Sequence, residues 1–139
     1  MDDLHNLARF VDAQAPLYGQ VLDELRAGRK RSHWIWLVFP QIAGLGHSAM
    51  AQRYAIASLG EAQAYLAHPV LGARLRECSA LVLAVQDRPV HDIFGSPDDM
   101  KFRSCMTLFA SAGDGSGVFG QCLEKYFGGQ PDPLTLELL

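Results

Sequence analysis

No stretch of the 139 residues is both long and apolar. The longest unbroken run, Trp34 to Pro40, falls far below the roughly 18 residues that a membrane helix needs. The start, Met1-Asp2-Asp3-Leu4-His5, is acidic where a secretory signal would be basic, and no apolar core follows it. An excess of positive charge is missing too. Twelve basic against fifteen acidic residues leave a formal net charge of −3 and a pI near 5.9, whereas a domain that grips nucleic acid usually has a pI above about 9. Neither nucleic acid nor a membrane is therefore expected as a partner. Cysteine is scarce and odd in number: Cys78, Cys105 and Cys122 form no CxxC pair, and each lies in an apolar helical pattern, as buried thiols of a reducing cytosol do. Five histidines (His5, His33, His47, His68 and His91) show no HxH, HxxxH or HExxH spacing, so no metal site and no cofactor is expected. These absences together predict a cytoplasmic protein.

What is present is enough for one core. The chain is 49% apolar and 19% charged, too apolar for disorder and too short for two full domains, so residues 1–139 are expected to fold as a single domain. Helical periodicity dominates. Leu4, Leu7, Ala8 and Val11 share a face and predict a helix that ends before Pro16; Leu17, Val21 and Leu25 predict a second, with Gly28 as its C-cap. Ser58-Leu59-Gly60-Glu61 has capping-box spacing and opens a helix closed by His68-Pro69. Leu71, Leu75, Cys78, Val82 and Val85 form the longest stripe, a central helix bounded by Pro69 and Pro89. Ser96-Pro97-Asp98-Asp99 predicts another start, with Ser96 as N-cap, Pro97 in the first helical position, and Met100, Met106 and Phe109 facing inward. The glycine-rich stretch 113–117 predicts a loop, and Phe119 to Phe127 a further helix stopped by Gly128-Gly129. Asp132-Pro133 starts a tail helix carrying Leu134 and Leu138. The fold class is all-α, with six to eight helices around Leu71–Val85. Trp34–Phe39 is continuously apolar; with no good strand partner elsewhere, it reads as a short buried helix starting near Ser32.

Four groups of residues are candidates for chemistry. Arg29-Lys30-Arg31-Ser32-His33 runs three cations into a predicted helix N-terminus, where free N–H groups favour an anion; the stretch can equally be a solvated turn with Ser32 as an ordinary cap. His33 beside Trp34 and Trp36 offers a proton carrier next to rings that can stack on a flat ligand, or else a core histidine with packed indoles. In the loop from Pro40 to Ser48, Gly44 and Gly46 permit close backbone approach while Gln41 and Ser48 offer neutral hydrogen bonds; Ser48 also suits the cap of a helix carrying Met50 and Tyr54. Asp98-Asp99 with Lys101 can act as acid and base, though paired acids in a first helical turn are also what the helix dipole favours.

The sequence around these residues also resembles a known family. Gly28 to Trp36, then Phe39-Pro40-Gln41, Gly44-Leu45-Gly46 and Ser48, look like the signature block of a family of small bacterial proteins of unknown function, some of which carry the label calpastatin. The similarity continues through Tyr54-Ala55-Ile56, Glu61-Ala62, Tyr65-Leu66, His68 to Gly72 and Arg74-Leu75. It resumes at Ile93-Phe94-Gly95, Pro97-Asp98-Asp99, Lys101 and Thr107-Leu108-Phe109. Cys105 departs from the pattern, standing where a small residue, often Ser, is expected. The resemblance implies a compact, mainly helical domain and brings no activity with it; a disordered protease inhibitor would not have this composition.

These residues predict a pocket between the 30–48 segment and the helix start at 97–104, for a small anionic or nucleotide-like ligand. Lys30 would neutralise the anion, Ser32 and backbone N–H groups would hold it, and Trp34 or Trp36 would stack. Gln41, Gly44, Gly46, Ser48, Asp99 and Lys101 would line the site, with His33 and Asp98 as the candidate catalytic pair. The alternative is a protein–protein interaction module built on an aromatic and arginine patch, since nine of the twelve basic residues are Arg. A hydrolase or transferase acting on a phosphorylated or nucleotide substrate comes third. No motif assigns a reaction, and no residue pattern speaks to the oligomeric state.

Overall fold

The computed structural model describes residues 3–113 and 117–139, which form ten helices and, among the described residues, no strand beyond one isolated parallel bridge between Ile42 and Ile56. The helices are α1 (Ala8–Gln14), α2 (Tyr18–Arg26), α3 (Ile35–Val38), α4 (Ala49–Arg53), α5 (Leu59–Ala67), α6 (Leu71–Ala84), α7 (Val90–Phe94), α8 (Asp98–Ala112), α9 (Val118–Phe127) and α10 (Pro133–Leu138). The all-α expectation holds, while the count exceeds six to eight because α3, α4 and α7 are one turn or little more. Of the predicted 113–117 loop, residues 114–116 lie outside the described residues.

The long helices follow their stripes. Leu71, Leu75, Cys78 and Val82 of α6 are buried, as are Phe119, Cys122 and Leu123 of α9, which ends at Gly128 in the left-handed conformation (φ 61°). Ser58 accepts from the Glu61 amide at 3.1 Å, the first half of the expected capping box; Glu61 returns not to Ser58 but to the Ala57 amide and to Arg9, 3.0 Å away. Asp132 caps α10 and also accepts from Ser104 Oγ at 2.9 Å, which fastens the tail helix to α8.

Three local expectations fail. The first helix begins at Ala8, because Asp3 accepts from the Leu7 and Ala8 amides at 2.7 and 2.8 Å and Asn6 is left-handed (φ 52°); Leu4, ahead of that cap, is 86% exposed. Met100 is exposed rather than inward. Six residues separate it from Met106, a rotation of about 600° along a helix, so the two cannot share a face. Finally, α8 starts at Asp98 with Pro97 at its N-cap and no hydroxyl from Ser96, since backbone carbonyls already take the early amides (Asp99 N–H to Gly95 at 2.8 Å, Met100 N–H to Pro97 at 3.1 Å).

The apolar 34–39 segment is indeed a buried helical turn. Its carbonyl at Leu37, which a four-residue helix cannot satisfy internally, accepts from Gln14 Nε2 at 2.6 Å. Phe39, Phe94 and Phe102 then pin three elements together: Phe102 stacks on Phe94 at 4.7 Å and meets Phe39 edge-on at 5.0 Å. Aromatic pairs of this kind add about 0.5–1.5 kcal/mol each beyond area burial. They set α3, α7 and the first turns of α8 side by side, and the candidate site lies along that seam.

Candidate functional site

A narrow cavity of about 140 Å³ opens between the 33–36 segment, the start of α4 and the first turn of α8. Its walls are His33, Ile35, Trp36, Ser48, Ala51, Asp98 and Lys101. Five of these come from the sequence-predicted set, drawn from three segments far apart in the chain. Ser48 is there because it caps α4, accepting from the Ala51 amide at 3.1 Å, and its own hydroxyl proton is left to donate. Gly46 lets α4 approach this closely: a Cβ at that position would meet the Ala51 methyl at 2.5 Å. Trp36 is half-buried, and its indole Nε1, out of solvent contact, has no acceptor among the described residues. His33 is exposed and hydrogen-bonds to none of the described residues.

Charge at the cavity is set by Asp98. Its Oδ2 pairs with Lys30 Nζ at 2.8 Å and its Oδ1 lies 3.9 Å from Lys101 Nζ. The Lys30 side chain is only 6% exposed and its ammonium also sits 5.2 Å above the Trp34 ring. Lys30 therefore stands behind Asp98 rather than in the cavity, with its charge already engaged. Two ammonium groups around one carboxylate leave this corner one positive charge in excess, and Lys101 is the cation on the cavity side.

The Arg31 and Ser32 amides and the Ser32 hydroxyl, expected from the sequence to hold a ligand's anion, are occupied by one of the protein's own carboxylates. Glu24, on α2, accepts from the Arg31 and Ser32 amides at 2.7 and 3.0 Å, from Ser32 Oγ at 2.6 Å, from Trp34 Nε1 at 3.0 Å and from Gln20 at 3.1 Å. Burial raises the Glu24 carboxyl, but the bonds from Ser32, Arg31 and Gln20 outweigh it and bring the group down to about 2. Ser32 consequently caps no helix, α3 starting three residues later, and Trp34 is 2% exposed with its polar edge turned inward. A surface patch built on Trp34 is thereby removed. The structure separates the remaining candidates from the cavity. Gly44 (φ 105°) faces Leu138 of α10, Asp99 lies 3.2 Å from His91, and Gln41, whose Oε1 lies beside Gly46, is not among the residues that line the cavity.

Sequence reasoning missed Ile35, Ala51 and Glu24. Ala51 had a signal, standing three residues after the capping serine and so directly above it. Glu24 had none, because its partners come from a loop whose path only the fold determines. Chemically, the cavity offers an ammonium, an imidazole and a hydroxyl as donors, with one carboxylate whose orientation Lys30 holds. No hydrogen bond joins Ser48 to His33, so a serine nucleophile is not assembled here.

Comparison with known proteins gives a family and one solved relative. A family model described as "Protein of unknown function (DUF1810)" matches residues 4–139. The solved structure of the conserved hypothetical protein Rv1873 from Mycobacterium tuberculosis is 58% identical, with a TM-score of 0.97 over 99% of this chain and 98% of that one. No curated protein matches the chain.

Proposed function

Because the chain belongs to the DUF1810 family of proteins of unknown function, its activity has to be argued from its own side chains, and we propose that it binds a small anion in the cavity between His33, Trp36, Ser48, Asp98 and Lys101. The observation that carries this is the convergence of these five polar or aromatic residues, from three separate segments, on one cavity with a net positive corner. Lys101 supplies the charge, Ser48 and His33 supply hydrogen bonds, and Lys30 keeps Asp98 from turning toward the ligand. The volume selects among anions. Drug-sized ligands occupy pockets of about 300–1,000 Å³, so a cavity of about 140 Å³ favours a carboxylate or phosphate head group over a whole nucleotide. We further propose, from its pI near 5.9 and its three unpaired cysteines, that it acts in the cytoplasm without nucleic acid or a membrane as partner. Among the described residues no helix is long and apolar enough to cross a membrane.

Thermal melting in acetate, phosphate, sulfate, AMP and ADP tests the proposal. A ligand at 100 times its dissociation constant adds about 2.7 kcal/mol of stability, so at least one small oxyanion should raise the melting temperature by several degrees. The gain should disappear in Lys101→Met and shrink in His33→Ala. No stabiliser in the panel, or a stabiliser indifferent to both substitutions, overturns the reading.

A further inference from the structure

A second and wider cavity, of about 650 Å³, shares no lining residue with the first and has a different chemistry. One rim is the 29–30 strand of chain, the other the 87–95 segment. Two hydrogen bonds hold the rims at a fixed separation: the Lys30 amide donates to the Ile93 carbonyl at 2.7 Å, and Arg88 Nη1 to the Gly28 carbonyl at 3.3 Å. Asp87 sits in the left-handed region (φ 59°), a conformation that aspartate tolerates better than most side chains but that still costs free energy. Asp87 and Arg88 both line the cavity.

The lining carries four unpaired charges. Arg29 and Arg88 are cationic, Asp87 and Asp92 anionic, and among the described residues none of the four forms an ion pair, with one another or with anything else. Lys30 adds nothing to this balance, since its ammonium belongs to Asp98. These four side chains, all exposed, sum to zero, and His91, the remaining titratable residue of the lining, faces Asp99 at 3.2 Å. A bare anion gains from the guanidinium groups and loses to the carboxylates. A ligand with an oxyanion at one end and an ammonium at the other meets both: guanidinium forks suit phosphate or carboxylate oxygens, and carboxylates accept from an ammonium. We propose that this cavity is a binding site for a small zwitterion, an amine carrying a phosphate or carboxylate group, and that it is separate from the anion site of Lys101.

Titration calorimetry of Lys101→Met, whose narrow cavity has lost its cation, with phosphoethanolamine, inorganic phosphate and ethanolamine separates the two ends. Phosphoethanolamine should bind at least about tenfold more tightly than either fragment, a factor worth about 1.4 kcal/mol. The pair Arg29→Gln with Arg88→Gln should abolish the advantage over ethanolamine, and Asp87→Asn with Asp92→Asn the advantage over phosphate. Asparagine keeps the left-handed backbone accessible at position 87, and melting curves of both double variants verify that they fold. Wild type should bind phosphoethanolamine no more than about twofold more tightly than Lys101→Met does; binding that depends on Lys101 places the ligand in the narrow cavity, and the inference fails. Equal affinity of Lys101→Met for phosphate and phosphoethanolamine, or no heat from phosphoethanolamine at millimolar concentration, overturns it as well, whereas the narrow site stands or falls on the anion melts of wild type.

Discussion

Two oxygens of Glu24 accept five hydrogen bonds, from Gln20, Arg31, Ser32 (twice) and Trp34, and this carboxylate is 8% exposed. Replacing it with glutamine puts an NH₂ group against donors. Two or more buried N–H groups then lose their acceptor, and Glu24→Gln should cost about 2–4 kcal/mol in urea unfolding. The pH dependence has a definite sign. The folded carboxyl titrates at about 2 against an ordinary value of 4.5, so its contribution is complete above pH 4.5 and is lost as the pH falls through 2. A depression of that size corresponds to about 3 kcal/mol. The stability gap between wild type and Glu24→Gln should therefore narrow steadily from pH 4.5 to pH 2; a gap that stays constant across this window would show that the carboxylate's charge is not what the amides bind. The run Arg29-Lys30-Arg31 reads in the sequence as a place for a ligand's anion, whereas the Arg31 and Ser32 amides hold the protein's own carboxylate. That this carboxylate is Glu24, and that Lys30 turns to Asp98, depends on helices brought together only by folding.

At the level of elements, the meeting of α5 and α6 depends on one missing methyl group. A Cβ on Gly72 would stand 2.1 Å from the Leu66 carbonyl oxygen and 2.9 Å from Arg76 Nη1. A backbone carbonyl cannot move aside as a side chain can, so Gly72→Ala should lower stability by about 1–3 kcal/mol in spite of alanine's better helix propensity. Gly60→Ala is the matched control. On α5, its Cβ would find nothing nearer than Ser58 Oγ at 3.7 Å, and a gain of about 0.5 kcal/mol is expected. Thermal melts of the two variants should shift in opposite directions; a shift in the same direction would mean that the contact at Leu66 does not limit the packing. Helix-long stripes made α5, α6 and α9 legible in the sequence, because several buried residues report one face. The five residues of α7 give no such repeat, and the helix is recognisable only by its ends, Pro89 and Gly95. The seam that forms the narrow cavity was visible as a density of unusual residues at 30–48 and 97–101. Its depth and its exclusion of Trp34, Gln41 and Gly44 were not, since spacing along a chain does not say which side of a turn faces which neighbour.

For the molecule as a whole, the three cysteines report whether the core opens as one unit. Cys78 on α6, Cys105 on α8 and Cys122 on α9 are all free and fully buried, on helices that pack against a common interior. Burial pushes the Cys78 and Cys122 thiols up to about 12 and holds Cys105 well above the ordinary range. At pH 8 the thiolate that reacts with an alkylating reagent is thus depleted about a thousandfold or more relative to an exposed thiol, before access is considered. Labelling of the native protein must wait for opening. If α6, α8 and α9 open together, as a two-state domain of this size does, intact mass spectrometry during slow alkylation should show chains with no label and chains with three. Singly and doubly labelled species should stay scarce, and the labelling rate should rise with urea in step with global unfolding. Accumulation of a chain labelled only at Cys122 would instead show that α9 detaches on its own, and the core would then have to be described as two cooperative units, with α6 and α8 forming the more stable one.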